Sequence, residues 1–193
     1  MDQSNGYEQI ATAFITYRGQ NAYGIGASSV RKWAQGLLPG ATVLDLGCGT
    51  GIPVSKVLID EGMTVYGVDA SPSLVNAFKQ NFTDAPVACE PVEHSLFFNR
   101  KFDAIIAWGL LFLLPEKTQA SIILKAAKAL RTGGKFLFTA PDVEAAWNDV
   151  MTGQRSVSLG SDRYKALLAE AGLSLVNEFE DEGENHYYDA VRV

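Results

Sequence analysis

The chain has 193 residues, enough for one well-buried domain and short for two, so we expect a single domain over 1–193. Its formal net charge of −6 disfavours partners with an anionic surface, and we expect it to bind neither nucleic acid nor a membrane. It has two cysteines with no secretory segment ahead of them and no apolar run of about 20 residues. These features predict a soluble protein in a reduced compartment, the cytoplasm.

The N-terminal segment is rich in aromatic residues and precedes the first predicted strand. The spacing of its apolar side chains predicts helices over 7–17 and 28–37. We expect residues 1–39 to form a helical lid over a binding site, with three tyrosines against the substrate: Tyr7, Tyr17 and Tyr23. The alternative is an amphipathic helix whose stripe of Ile10, Phe14 and Tyr17 packs on the sheet.

The most informative segment is 43–51, in which an apolar run interrupted by Asp45 leads into three glycines at alternate positions: Gly47, Gly49 and Gly51. Such a pattern predicts a strand that enters a nucleotide-binding turn. Glycine is needed there because the chain bends sharply and a ligand approaches the backbone closely. We expect the amides of the turn and of the next helix to hold a carboxylate or a phosphate. Two ligand classes fit, dinucleotides and S-adenosylmethionine.

Two residues separate these ligand classes. The dinucleotide pattern has a third glycine at the position that Ile52 occupies here. Asp45 would repel a pyrophosphate but would help to bind an ammonium group, which methionine carries and NAD does not. The alternatives that remain are an NAD-dependent oxidoreductase and a scaffold whose glycines serve packing alone.

The rest of the chain alternates strands and helices. Strands are predicted over 64–68, 86–89, 102–107, 135–139, 173–179 and 186–193. Helices are predicted from Pro53 to a terminator at Gly62, from a cap at Ser71 through Phe78, and over 117–131 and 161–171. Gly133 and Gly134 are expected to end the third of these helices. No element is predicted in the connecting segment 141–160. Short crossovers of this kind predict a doubly wound α/β sheet with its ligand at the carboxyl ends of the strands.

With these motifs the sequence resembles the class I S-adenosylmethionine-dependent methyltransferases. Their first motif is an acid followed by a GxGxG turn, here Asp45 and 47–51, and a second strand ends in an acid, here Asp69. The resemblance covers about 40–193. It implies a Rossmann-like seven-stranded sheet, mostly parallel with a C-terminal antiparallel hairpin and with helices on both faces.

The resemblance also implies a reaction. The enzyme would transfer a methyl group from S-adenosylmethionine, by in-line displacement, to an oxygen, nitrogen or sulfur atom of a small molecule, leaving S-adenosylhomocysteine. The alternative is a non-catalytic protein that binds either adenosyl compound and acts as a partner or regulator. The oligomeric state is not predicted.

By resemblance, a set of residues contacts the cofactor. Asp45 lies near its ammonium group, Asp69 holds the ribose, and Glu90 accepts the adenine amino group, with Glu93 as its rival. The other expected cofactor contacts are Gly47, Cys48, Gly49, Gly51, Ala70, Leu74, Pro91, Val92 and Trp108. No catalytic residue is identified; the candidates are His94, as a base, and Trp108, as an aromatic wall beside the sulfonium.

Several branches of the family are disfavoured by the residues after the fourth strand. Enzymes that methylate amino groups of bases carry an Asn/Asp-Pro-Pro-aromatic run there. This chain instead has the sequence Ala-Trp-Gly-Leu at 107–110. Metal-dependent O-methyltransferases place carboxylates at the same strand end, which lacks them here, so we expect no metal. The expected partner is therefore a small-molecule methyl acceptor.

Overall fold

The computed structural model describes residues 3–17, 21 and 23–193. Its helices are α1 (Tyr7–Tyr17), α2 (Ala27–Ala34), α3 (Val54–Asp60), α4 (Pro72–Asn81), α5 (Glu116–Ala129) and α6 (Ser161–Glu170). Its strands are β1 (Thr42–Leu46), β2 (Thr64–Asp69), β3 (Val87–Cys89), β4 (Phe102–Ala107), β5 (Leu130–Thr139), β6 (Glu144–Asn148), β7 (Arg155–Leu159), β8 (Leu173–Glu180) and β9 (His186–Arg192). No helix in these ranges combines the length and apolar character needed to cross a membrane.

Seven strands form one sheet in the order β3-β2-β1-β4-β5-β9-β8. The pairs from β3 to β5 are parallel, and β9 pairs antiparallel with both β5 and β8. The predicted fold is therefore confirmed, including the C-terminal antiparallel hairpin. The chain winds from β1 outward to β3 and then returns to β4 on the other side of β1, which creates a switch point between β1 and β4.

The sheet is buried on both faces, which explains why its central strands are almost continuously apolar. Leu44, Ile105 and Phe136 belong to a core cluster that includes residues of α5 and α6. Their neighbours along the same strands, such as Val43 and Ala104, belong to a second cluster with residues of α2 and α3. Helices thus cover both faces, as predicted.

The boundary between α5 and β5 differs from the prediction. The helix ends at Ala129 and the strand begins at Leu130, before the two glycines that were expected to separate them. Leu130 already pairs with Phe102 at the start of β4, and the register shifts after that pair. A β-carbon at Gly134 would lie 2.9 Å from the carbonyl oxygen of Arg131, so glycine is needed inside the strand at this shift.

The segment 141–160, in which no element was predicted, contains a separate two-stranded hairpin. Strands β6 and β7 pair antiparallel around a turn at 149–154. The buried Gln119 fixes the hairpin on the core, because its Nε2 donates to the carbonyl oxygens of Leu114 and Val157 at 2.9 and 2.8 Å. Its Oε1 accepts a hydrogen bond from the Tyr164 hydroxyl at 2.7 Å.

The N-terminal helices form close to where they are predicted, with α2 ending three residues early at Ala34. Helix α1 packs against α4 and buries Ala11, whereas Ile10 and Phe14 are half-buried and Tyr17 is 83% exposed. The alternative of an apolar stripe packed on the sheet is therefore wrong.

Candidate active site

A cavity of about 400 Å³ lies at the carboxyl ends of β1, β2 and β4, at the switch point of the sheet. Loops that follow these strands form one side of it. Residues of α1 and of the turn between β6 and β7 form the other. Its lining includes most of the predicted cofactor contacts, namely Asp45, Gly47, Cys48, Gly49, Asp69, Ala70, Leu74, Pro91, Val92 and Trp108.

The glycine turn after β1 closes on the end of β2. The amides of Gly47 and Cys48 both donate to the carbonyl oxygen of Val68, at 2.8 and 3.1 Å. The amide of Gly49 donates to Oδ2 of Asp69 at 2.8 Å. These three donors are therefore bonded within the protein and are not free to hold a carboxylate or a phosphate. The turn instead offers an open approach, since a β-carbon at Gly49 would find its nearest neighbour, Phe14, only at 3.8 Å.

Gly51 has a different role from the one predicted. It does not line the cavity, and it has a φ of +79°. A β-carbon there would lie 2.4 Å from Phe82 and 2.8 Å from Phe78, which packs from α4. This glycine is needed for the packing of α4 against the turn.

Asp45 is 2% exposed and still contributes to the cavity lining. Its Oδ2 accepts a hydrogen bond of 2.6 Å from the hydroxyl of Ser55 in the first turn of α3. Burial raises the pKa of the Asp45 carboxyl to about 7, against the lowering effect of the Ser55 hydrogen bond, and the charge of Asp69 raises it further. A cation beside this carboxyl would favour its ionised form. Ser55 was not identified from the sequence, because a serine in a helix carries no motif of its own.

Asp69 is held rigidly at the end of β2. Its Oδ2 accepts from Gly49, and its Oδ1 accepts from the amide of Ser71 at 2.8 Å. Burial raises the pKa of this carboxyl as well. Its two oxygens offer about four lone-pair positions, so the carboxylate can also accept a hydrogen bond from a ligand in the cavity.

Glu8 of α1 ties the N-terminal segment to this site. Its Oε2 accepts from the hydroxyl of Ser71 at 2.5 Å and from the amide of Ser73 at 3.1 Å. Its Oε1 accepts from the hydroxyl of Ser73 at 2.7 Å. Helix α1 is therefore fixed on the first turn of α4, next to Asp69. No pattern in the sequence indicates this contact, because it joins residues more than 60 positions apart.

The residues after β3 divide between the cavity and the surface. Glu93, the rival candidate, lines the cavity, and Glu90 does not. The backbone amide of Glu90 donates to the carbonyl oxygen of Asp69. His94 is exposed and lies outside the lining, so the structure does not bring this candidate base to the cavity.

Trp108 forms one wall of the cavity and is held from behind. Its Nε1 donates to the Tyr187 hydroxyl at 2.7 Å, and that hydroxyl donates to Oδ2 of Asp181 at 2.8 Å. Tyr187 is buried and stacks on Phe179 with ring centroids 4.6 Å apart. Sequence analysis missed both Tyr187 and Asp181, because they lie on the C-terminal hairpin, far from the motifs.

The three predicted substrate tyrosines are not equivalent. Tyr7 and Tyr17 line the cavity, and Tyr7 makes an edge contact with Phe14 at 5.8 Å between ring centroids. Tyr23 is 87% exposed and is not part of the lining. Other lining residues were missed: Asn5, Ile25, Asn185 and the stretches 112–114 and 149–151. The described residues contain no group of three His, Cys, Asp or Glu side chains placed to hold a metal ion.

Comparisons with known proteins agree with this geometry. A family model described as a methyltransferase domain matches residues 43–134. An uncharacterized methyltransferase of Synechocystis is 30% identical over 159 residues, covering 72% of this chain and 70% of that protein. The cypemycin N-terminal methyltransferase of Streptomyces is 36% identical over 131 residues, covering 65% of this chain and 53% of that protein, so the chain spans about half the length of this relative.

Among solved structures, the magnesium protoporphyrin IX methyltransferase of Synechocystis, which contains bound S-adenosylmethionine, superposes with a TM-score of 0.72. That match is 20% identical and covers 96% of this chain and 97% of that one, so the two share a fold. With the glycine turn, the two strand-end acids and the extended match to the Synechocystis relative, these findings show that the chain belongs to the class I S-adenosylmethionine-dependent methyltransferases.

Proposed function

We propose that this protein transfers a methyl group from S-adenosylmethionine to an oxygen, nitrogen or sulfur atom of a small molecule bound in the same cavity. The observation that carries the proposal is the continuity of the cavity. It runs from Asp69 and the glycine turn, past Trp108, to the apolar stretch 112–114. A cofactor and an acceptor can therefore meet in one cavity.

The residues present fit the cofactor. The open approach at Gly49 admits a ligand close to the backbone, and the Asp45 carboxyl, with one hydrogen-bond donor from the protein, suits an ammonium group. Asp69 would hold the ribose hydroxyls, and Leu74 and Val92 would contact the adenine. When bound, the cofactor supplies a methyl group on a positively charged sulfur.

The chain's own contribution is alignment and the exclusion of water. The leaving group is activated before it binds, so a dry pocket that orders the two reactants can suffice. Trp108, fixed by Tyr187, provides an aromatic face that is compatible with a sulfonium. Helix α1, fixed by Glu8, would act as the lid over the cofactor.

The first test is calorimetric titration with S-adenosylmethionine, S-adenosylhomocysteine and NAD. We expect the two adenosyl ligands to bind and NAD not to bind. Asp69→Ala should weaken S-adenosylmethionine binding by tenfold or more, about 1.4 kcal/mol. Asp84→Ala, which removes an exposed acid after α4, is the matched control and should leave the affinity unchanged.

Turnover is tested separately by following S-adenosylhomocysteine production with panels of small acceptors. Preference for NAD would contradict the cofactor assignment. Tight binding of the adenosyl ligands without methyl transfer to any acceptor would favour the alternative, a non-catalytic binding protein.

A further inference from the structure

The side of the cavity away from Asp69 has its own chemistry. We define the acceptor side as Asn5, 112–114 and 149–151, all of which line the cavity. Phe112 packs against Trp147 of the β6–β7 hairpin at 5.7 Å between ring centroids. The phenylalanine, leucine, valine and methionine side chains in these stretches make this side largely apolar, so it fits a molecule with an apolar body.

The charged side chains that the structure describes in the cavity lining are all acidic. Four carboxyl groups line it, those of Asp45, Asp69, Glu93 and Asp149, and within the described part of the chain no lysine, arginine or histidine does. An anionic acceptor would be placed among these carboxyl groups, in surroundings less polar than water. A cationic acceptor would find several opposite charges.

Asp149 is the acidic residue on the acceptor side. Hydrogen bonds to one of its two carboxylate oxygens hold its side chain in place. Oδ1 accepts from the amides of Met151 and Thr152, at 3.0 and 2.8 Å, and from the Thr152 hydroxyl at 3.1 Å. Its Oδ2 receives no hydrogen bond from any residue that the structure describes. The turn therefore orders the carboxylate without occupying its second oxygen.

Asn5 lies beside this turn. Its Nδ2 is buried and has no hydrogen-bond partner among the described residues, although it lies in the cavity lining. The adjacent Gly6 brings Asn5 to the turn that holds Asp149, because a β-carbon at Gly6 would lie 3.1 Å from Cβ of Thr152.

We propose that the methyl acceptor carries an ammonium group on a largely apolar body, and that Asp149 binds this ammonium as its counter-charge. Asp149 is thus an acceptor-binding residue, and the ammonium is the group by which the molecule is recognised. The inference rests on the proposed function, since it names the class of molecule that the same cavity takes.

The test uses three probes with one body and different head groups: 2-(2-naphthyl)ethylamine, the corresponding alcohol and the corresponding carboxylate. Each is titrated calorimetrically into the complex with S-adenosylhomocysteine. We expect the amine to bind about tenfold more tightly than the alcohol, as one charge-assisted hydrogen bond allows, and the carboxylate to bind most weakly.

The variants are Asp149→Asn, which keeps an oxygen for the turn hydrogen bonds, and Glu144→Gln, which removes an exposed acid from the same hairpin outside the lining. Asp149→Asn should abolish the preference for the amine, and Glu144→Gln should retain it. A preference that survives in Asp149→Asn, equal binding of the carboxylate, or no binding of the amine to this complex would overturn the inference. Failure of S-adenosylhomocysteine to bind would instead overturn the proposed function.

Discussion

Replacing Asp45 by asparagine changes how stability depends on pH. Its carboxyl is buried, and its folded-state pKa is raised from 3.8 to about 7. The folded protein therefore binds more protons than the unfolded chain between these values, so the contribution of Asp45 to stability falls as pH rises through that window. Relative to Asp45→Asn, the free energy of unfolding of the wild type should fall by about 4 kcal/mol between pH 4 and pH 8.

The assay is urea denaturation of the two ligand-free proteins at several pH values. Asparagine keeps an oxygen that can accept the Ser55 hydroxyl, so the local contact survives while the titration is removed. The difference between the two curves cancels the other titrating groups to first order. If the free energies of unfolding of the two proteins change in parallel from pH 4 to pH 8, burial does not disfavour the ionised form of Asp45, and the argument is refuted.

Ligand binding should depend on pH in the opposite way from stability, because binding favours the ionised form of Asp45. An ammonium group near Asp45 favours the ionised carboxyl, so wild-type affinity for S-adenosylmethionine should weaken as pH falls below about 7. Asp45→Asn should bind it about tenfold more weakly at pH 8 and lose this pH dependence. Calorimetry at pH 6 and pH 8 measures both effects, and an unchanged affinity at pH 8 would place the ammonium elsewhere.

Three further substitutions probe the packing around the site. Gly51→Ala should cost about 2–4 kcal/mol in urea denaturation, because it adds a steric clash to a left-handed backbone. Gly62→Ala is the control, because Gly62 has a φ of +82° and open space around it, and it should cost about 1 kcal/mol. Equal losses of stability in the two variants would show that the steric clash at Gly51 does not contribute. Glu8→Ala should weaken S-adenosylmethionine binding and speed proteolysis of the N-terminal segment, whereas Gln9→Ala, exposed on the same helix, should do neither. Tyr187→Phe should cost about 2 kcal/mol and lower kcat/KM by loosening the indole that lines the cavity; unchanged kinetics would make its role structural only.

The part of the site that we propose for the cofactor was predictable because its residues are close in sequence and constrained by backbone geometry. Asp45, Gly47 and Gly49 stand in one motif, and Asp69 ends the next strand. The parallel register places Leu46 opposite Val68, so the two strand ends meet at one edge of the sheet. The spacing of apolar residues therefore identifies the strands, and the motifs identify where the strand ends converge.

The contacts that were missed depend on tertiary structure alone. Strand β6 begins Glu-Ala-Ala, which has no alternation of apolar and polar residues, and the position of its hairpin is set by the buried Gln119. The role of Gly51 was misassigned because a glycine needed for a ligand and one needed for an aromatic neighbour look the same in a sequence. His94 and Glu90 were expected in the site but lie outside the cavity lining. The reason is related, since no periodic pattern in a sequence shows which side chains of a loop face a cavity.

The division between what could and could not be predicted matches the division of the cavity in part, since 112–114 of the acceptor side lies within the region that matches the methyltransferase domain. The region that matches the methyltransferase domain, 43–134, includes the residues expected to bind the cofactor. Asn5 and 149–151, on the acceptor side, lie outside it. These two segments support each other, since Gly6 is in contact range of Thr152, and neither contributes a strand to the main sheet. We infer that acceptor choice depends on the pair together, and that it can change without disturbing the sheet that positions Asp45 and Asp69.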